Sequence, residues 1–387
     1  MQKHMTSLVS KIRFYSSKNL PMVSKLSHTE HCCKILVVGG GCGGCSVAAR
    51  LAKVLYKHDI IIVEPRDVHV FKPAFTLIGA GISQLRDVTR PMLQVLPDNA
   101  IWVKDSVEHF CPADNMVILE SGATVEYEFM VISVGLEPNF NGRKQLNDVT
   151  IVYANANDSL FPVDLYEDAV HRIAEKLNVC VQFGVNLVKI IPENNKAIFA
   201  CTSAPENTTC LKYSFLHVST PMKPPKALKK SKDILDNRKF VDVDERTLQH
   251  RKFMNVFALG DCASLPTSKT ASAISVQSYV VFKNIMNAME GNDIEPIYDG
   301  YTASPIFTGY DSLMLAEFDY SREPKPTFPF NIDKDKAWLF HLQCKVMPHI
   351  YWNHMLKGTW DGPEKFRKIF RLEFLRRRKE GAYLGCK

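Results

Sequence analysis

Lys34-Ile35-Leu36-Val37-Val38 is a short, apolar, β-branched run that ends directly in Gly39-Gly40-Gly41-Cys42-Gly43-Gly44. A helical pattern follows, with Ala48, Ala49, Leu51 and Ala52 ahead of Leu55. Strand, glycine turn and helix in that order give a bare Gly-x-Gly-x-x-Gly the meaning of a dinucleotide fingerprint. Gly39 permits the tight turn, Gly41 lets the backbone approach a pyrophosphate, and Gly44 allows the helix to pack closely on the strand. The phosphates then sit at a helix N-terminus, on unpaired amides and the positive end of the dipole. A second strand, Ile60-Ile61-Ile62-Val63, ends in Glu64, 20 residues beyond Gly44, where a carboxylate accepts hydrogen bonds from the adenosine ribose. On these residues alone the site suits NAD or FAD.

Two later segments favour the flavin. Val131-Ile132-Ser133-Val134-Gly135 reads as a buried strand entering a turn, and Val256-Phe257-Ala258-Leu259-Gly260-Asp261 as another strand ending in Gly-Asp. The pattern resembles flavoproteins with two dinucleotide-binding domains, in which the chain leaves the FAD domain and later returns to it. That resemblance implies that Asp261 bonds the ribityl chain of the flavin.

The resemblance then becomes specific. Glu64-Pro65, His69-Val70-Phe71-Lys72-Pro73, Thr76-Leu77-Ile78-Gly79-Ala80-Gly81, Leu265-Pro266-Thr267-Ser268-Lys269-Thr270-Ala271 and Asp299-Gly300-Tyr301-Thr302 are similar to segments of the animal mitochondrial sulfide:quinone oxidoreductases. So are Leu315-Ala316-Glu317-Phe318-Asp319-Tyr320 and Tyr351-Trp352-Asn353. The resemblance implies an inner-membrane protein of the mitochondrion that oxidises sulfide, passes electrons through FAD to ubiquinone, and hands sulfur to a small acceptor such as glutathione or sulfite. Carried over residue by residue, the FAD contacts are Cys42, Gly43, Glu64, Val107, Asp261 and Lys269, beside Gly39, Gly41 and Gly44 of the fingerprint. Lys72 stands where the family usually has Gln, so a contact there has altered chemistry. Lys269 has a physical argument of its own, because a positioned cation stabilises the negative charge of a reduced flavin.

The family's chemistry uses two cysteines bridged by sulfur, which sulfide attacks as a nucleophile. A thiolate then delivers electrons, the thiol being far weaker. Neither cysteine is found where the resemblance places it. The segment that should carry the first, well before Lys189, is missing: the chain passes from Gly135-Leu136-Glu137-Pro138 through a short polar stretch to Val149-Thr150-Ile151-Val152-Tyr153. On the order of seventy residues are absent, about half of a typical domain, and this loss should leave a sheet edge and apolar surface uncovered. At the second position the chain reads Ala303-Ser304-Pro305. Cys262 is expected to be a buried structural residue, Cys42 and Cys45 belong to the phosphate turn and its helix, and Cys180, Cys201 and Cys210 fall in the shortened region. Two readings follow: an enzyme whose written chain lacks a segment, or a catalytically inactive, FAD-binding, membrane-associated paralogue. Ser304, a loss independent of the gap, favours the second. A type II NADH:quinone dehydrogenase shares the architecture but needs a second glycine fingerprint, and between Gly135 and Gly260 only Gly142 and Gly184 occur.

Composition sets the remaining bounds. The net charge of +7 is modest and its excess sits at the ends, with Lys11, Arg13 and Lys18 on one side and Arg376, Arg377, Arg378 and Lys379 on the other, which argues against a nucleic-acid groove. Eleven cysteines form a single Cys-x-x-Cys, Cys42 with Cys45, which indicates neither a disulfide framework nor a metal site. Residues 1–29 hold five basic residues, six serines and no acid, the composition of a mitochondrial transit peptide. No run reaches the ~18 apolar residues of a bilayer span, so membrane contact must be peripheral or monotopic. Phe366, Ile369, Phe370 and Phe374, interleaved with Arg367, Lys368, Arg371, Arg376 and Arg377, describe an amphipathic helix at a membrane interface. The expected fold is α/β: a Rossmann-like FAD domain from 32–140 and 236–300, a truncated second dinucleotide-like domain at 141–235, and a quinone- and membrane-facing region at 301–387.

Overall fold

The computed structural model describes residues 22–24, 30–136, 150–219, 224–309, 311–330 and 333–370. Its main sheet grows around the two apolar runs that flank the glycine turn. Strand β2 (Glu30–Val38) pairs in parallel with β3 (Ile60–Val63), Ile35 opposite Ile60, and Ile35 to Val38 and Ile60 to Val63 are all buried. Continuous apolar runs of this kind suit strands covered on both faces. On the other side of β2 lies β9 (Thr124–Ile132), also parallel, and β15 (Val256–Ala258) pairs in parallel with the last residues of β9. The chain therefore leaves the sheet after Ile132 and returns beside it, as the two later segments suggest.

Beyond β3 come β6 (Ile101–Val103) and, at the edge, β1 (Met22–Ser24). The hairpin of β7 (Val107–Cys111) and β8 (Met116–Leu119) joins antiparallel to the first part of β9. A short hairpin, β4 (Val68–Val70) with β5 (Thr89–Pro91), stands apart, and α2 (Phe75–Gly79) lies between its arms in sequence. Met22–Ser24 lie within the stretch read as a leader, yet they supply a sheet strand; residues 1–21 lie outside the described residues.

The sheet is covered by α1 (Cys42–Leu51), which follows the glycine turn, and by α5 (Ala271–Glu290). Ser46 and Ser278 share a hydroxyl hydrogen bond of 3.0 Å between these helices. Thr270 caps α5 by accepting from the Ala273 amide, and Gly291 at φ +72° ends it.

Between β9 and β15 the chain builds a small unit. Strands β10 (Val152–Ala154) and β11 (Cys180–Gln182) pair in parallel around α3 (Asp164–Lys176), followed by an antiparallel meander of β12 (Val185–Ile191), β13 (Lys196–Cys201) and β14 (Thr208–Lys212). Ile151, just before β10, and Val152 and Tyr153 on it are 52%, 41% and 48% exposed, so this two-stranded sheet carries uncovered apolar side chains. The junction at 137–149 lies outside the described residues. The return to the main core comes earlier than 236: Leu228, on α4 (Lys226–Lys230), and Ile234 are already part of it.

The C-terminal part begins with the hairpin of β16 (Thr302–Phe307) and β17 (Leu313–Phe318), onto which α3 packs through Val163, Tyr166 and Ala169 against Met314, Ala316 and Phe318. Then α6 (Ala337–His341) and α7 (Met347–Ile350) run into a wide π-helical turn, Tyr351–Met355. Tyr351, Met355 and Leu356 are buried in the core of the nucleotide domain, so this segment is part of that domain and not a separate appendage. A final helical stretch at 364–370 places Phe366 and Ile369 outward, 42% and 52% exposed. Arg367, read from sequence as one of its solvent-side cations, is instead buried and paired with Glu317 at 3.4 Å, because β17 supplies a compensating carboxylate. Phe374, Arg371, Arg376 and Arg377 lie outside the described residues.

Candidate functional site

The parallel strands β2, β3, β9 and β15 end together at one edge of the sheet, and the glycine turn occupies that edge. Gly39 has φ +101°, and a Cβ there would lie 2.6 Å from the Ser133 carbonyl oxygen at the end of β9. A Cβ on Gly44 would lie 1.9 Å from the Gly39 carbonyl oxygen, so turn and helix close on each other as only glycine permits. Gly41 is the opposite case. It faces open space, with nothing within 4 Å of a Cβ built there. It is also the residue before α1 and supplies no capping side chain, so the first helical amides have neither an intrahelical acceptor nor a cap. Open space beside unpaired amides at a helix N-terminus suits an anionic group.

Glu64 extends from β3 into the same edge and is 8% exposed. One carboxylate oxygen accepts from the Gly40 amide at 2.8 Å and the other from the Arg66 amide at 2.9 Å. Each oxygen keeps a lone pair for a further donor, as a ribose hydroxyl requires. The indole of Trp102 donates to the Glu64 carbonyl at 2.8 Å and fixes the strand end. Glycine turn and acid, 20 residues apart in sequence, are thus directly bonded.

Leu259, at the end of β15, lies 3.2 Å from a Cβ built on Gly43, which brings the Gly260-Asp261 turn against the glycine turn. Gly260 (φ +75°) donates its amide to Gln277 of α5 at 2.9 Å. Burial raises the pKa of Asp261, while the charges of Lys72 and Lys269 oppose the rise. Lys72, in the short turn before α2, also acts on Cys42, so these groups form one electrostatic neighbourhood. Lys269 is tied down: its amine donates to the carbonyls of Ala263 at 2.7 Å and Leu265 at 3.1 Å. Val107 is buried at the start of β7 opposite Leu119, with the hairpin and not among the bonded groups around the turn.

No family model matches the chain. It is 32% identical to the mitochondrial sulfide:quinone oxidoreductase of Mus musculus, across 89% of this chain and 92% of that one. It is 34% identical to the mitochondrial sulfide:quinone oxidoreductase of Dictyostelium discoideum, across 85% of this chain and 87% of that one. The chain belongs to the sulfide:quinone oxidoreductase family. The structure of the sulfide:quinone oxidoreductase from Aquifex aeolicus has the same fold: TM-score 0.73 at 18% identity, covering 88% of this chain and 95% of that chain. The sulfide:quinone oxidoreductase alignment with the mouse protein runs over 416 positions with only 89% of this 387-residue chain taking part, so a long stretch of the relative lies opposite a gap.

A sulfide:quinone oxidoreductase that works through thiolates needs reactive sulfur, and the described cysteines are all unpaired. Burial pushes Cys42 up to about 12 and Cys262 up to about 11, and raises Cys45 further. Buried, apolar surroundings of this kind make structural cysteines inert. Hydrogen bonds from Ser203 lower Cys201, but it lies on β13 of the meander, in the inserted unit. Ser304 sits on β16 opposite Ala316 and is half-buried.

Sequence reasoning gave no role to three residues that hold the turns: Gln277 on Gly260, and Ser133 behind the glycine turn and His69, bonded to the Gly40 carbonyl, both noted only as members of longer segments. Their partners lie far along the chain, and the only sequence signal was a polar residue inside an otherwise buried run.

Proposed function

We propose that this chain is a FAD-dependent sulfide:quinone oxidoreductase of the mitochondrial type, with sulfide as electron donor, ubiquinone as acceptor, and glutathione or sulfite receiving the sulfur. The observation that carries the reading is the open Gly41 cradle bonded through Gly40 to a buried Glu64, in a chain that aligns with two mitochondrial relatives over most of its length. The residues assigned to FAD are Gly39, Gly41, Cys42, Gly43 and Gly44 at the pyrophosphate, Glu64 at the ribose, Asp261 and Lys269 toward the flavin, and Val107 and Lys72 as further contacts. When bound, the flavin supplies the two-electron chemistry, and the protein supplies binding, orientation and charge.

The membrane side is assigned to the C-terminal segment, at the inner mitochondrial membrane. Exposed Phe330, Trp338, Val346, Phe366 and Ile369 support a peripheral or monotopic contact. Among the described residues no helix is long and apolar enough to cross a membrane.

A second reading is a paralogue that holds FAD without oxidising sulfide, and one observation favours it: Ser304 in place of the second sulfur, with no low-pKa cysteine described near the cradle. The two-stranded parallel sheet at β10 and β11 supports a truncated second domain in either case. Anaerobic addition of sulfide to the flavin-loaded protein separates the two. Bleaching of the flavin band, with recovery on adding a quinone, supports turnover. An unchanged band supports the paralogue, and a folded protein that takes up no flavin overturns both.

A further inference from the structure

The peptide between Gly40 and Gly41 is gripped from behind. The Gly40 carbonyl accepts from His69 Nδ1 at 3.0 Å and from Cys45 Sγ at 3.1 Å. A carbonyl can only accept, so Nδ1 carries a proton. Burial depresses the His69 pKa to about 4, which keeps the imidazole neutral and leaves Nε2 an acceptor. Tyr351 therefore donates its hydroxyl proton to Nε2, at 2.7 Å. Both side chains are 3% exposed, and the direction of each bond in the relay is fixed.

The geometry of the peptide unit gives this relay a consequence. A trans peptide is planar, with its C=O and N–H pointing in opposite directions. Anchoring the Gly40 oxygen therefore aims the Gly41 amide the other way, and Gly41 is the residue that faces open space. The Tyr351 ring is itself wedged, 4.4 Å from the ring of Phe71 and 5.9 Å from that of His69. The segment that carries Tyr351 also grips α1. The Met355 carbonyl accepts from Ser46 at 2.8 Å, Arg50 meets Asp361 at 2.6 Å, and Lys53 donates to the Gly358 carbonyl at 2.7 Å.

We propose that His69 and Tyr351 are positioning residues of the cofactor site: they set the plane of the Gly40–Gly41 peptide, and so make FAD retention depend on the docking of residues 351–361 against α1. The inference rests on the reading that FAD occupies the glycine turn. By reciprocity of linkage, bound FAD tightens that docking.

The test compares FAD affinity, thermal stability without flavin, and protease sensitivity beyond Lys357 in the full chain. Tyr351→Phe keeps the ring and removes only the hydroxyl. Loss of one buried hydrogen bond is expected to weaken FAD binding about fivefold to tenfold, and FAD should no longer protect the C-terminal segment as it does in wild type. His69→Leu should do the same, which serves if Tyr351→Phe does not fold, whereas His69→Gln, with a donor and an acceptor, should recover most of the affinity. Phe71→Leu loosens the same ring packing without touching the relay, so it should lower stability and leave FAD affinity nearer to wild type. The proposal is overturned if wild type binds FAD and Tyr351→Phe or His69→Leu binds it equally well. It is also overturned if Phe71→Leu weakens FAD as much as they do. A wild-type chain that binds no FAD overturns the flavin reading itself.

Discussion

Gly41 and Gly44 are three residues apart in one turn, and the structure predicts opposite consequences for adding the same methyl group to each. At Gly44 the new Cβ would lie 1.9 Å from the Gly39 carbonyl oxygen, backbone against backbone, with no flexible side chain to give way. The helix and the turn must separate, at a cost near the top of the overpacking range, about 3 kcal/mol or more. In a chain of this size that lowers Tm by roughly 4 °C. At Gly41 the backbone is extended (φ −74°, ψ −167°) and the space is empty, so alanine fits. A small gain from a stiffer unfolded chain offsets the loss of a favourable N-cap glycine, and the net change stays within about 1 kcal/mol. The methyl does, however, fill the approach that a pyrophosphate needs. Gly41→Ala should therefore fold like wild type and bind FAD at least about tenfold more weakly, with Gly41→Asp weaker still because it adds a negative charge. The assay pairs thermal unfolding without flavin with the ratio of flavin to protein absorbance after desalting. Full flavin content in Gly41→Ala, or an unperturbed Tm in Gly44→Ala, would refute the assignment of roles within the turn.

Two further predictions concern buried charge. His69 has a pKa depressed to about 4 in the folded chain against 6.5 when unfolded, so the unfolded state binds the extra proton first. Its contribution is intact above pH 6.5 and is lost as pH falls toward 4, a total of about 3 kcal/mol. Measured from pH about 7.5 to about 4.5, the unfolding free energy of wild type should fall relative to that of His69→Gln by most of this amount, and a constant difference would count against a buried neutral imidazole. Arg367 and Glu317 are 3% and 4% exposed, with Tyr301 and Thr327 also donating to the Glu317 carboxylate. Arg367→Met strands that carboxylate and should cost about 3–5 kcal/mol in chemical denaturation; a loss below 1 kcal/mol, the scale of an exposed pair, would show that the carboxylate is not buried in solution.

What was legible in the sequence is what local spacing encodes. Gly39 to Gly44 and Glu64 are fixed by the order strand, turn, helix, strand, and they meet in the structure through the Gly40 amide. The return of the chain at Val256–Ala258 was also legible, because a buried run before Gly-Asp has few other uses. The support behind the turn was not. His69 is one polar residue in a short strand, and only the fold brings Tyr351 to within 2.7 Å of it. Arg367 shows the same limit from the other side: helical periodicity places a cation among phenylalanines on a surface, and a carboxylate on a distant strand draws it into the core. The leader composition likewise carried no sign that Met22–Ser24 would pair with Ile101–Val103.

The flavin assignment is tested most directly by titrating FAD into the purified, flavin-free chain and following the quenching of flavin fluorescence. Wild type should saturate at one FAD per chain, and Gly41→Asp should show little or no saturable quenching over the same range. A well-folded wild-type chain that takes up no FAD, or a Gly41→Asp chain that binds it as wild type does, would contradict the placement of the cofactor in the glycine turn.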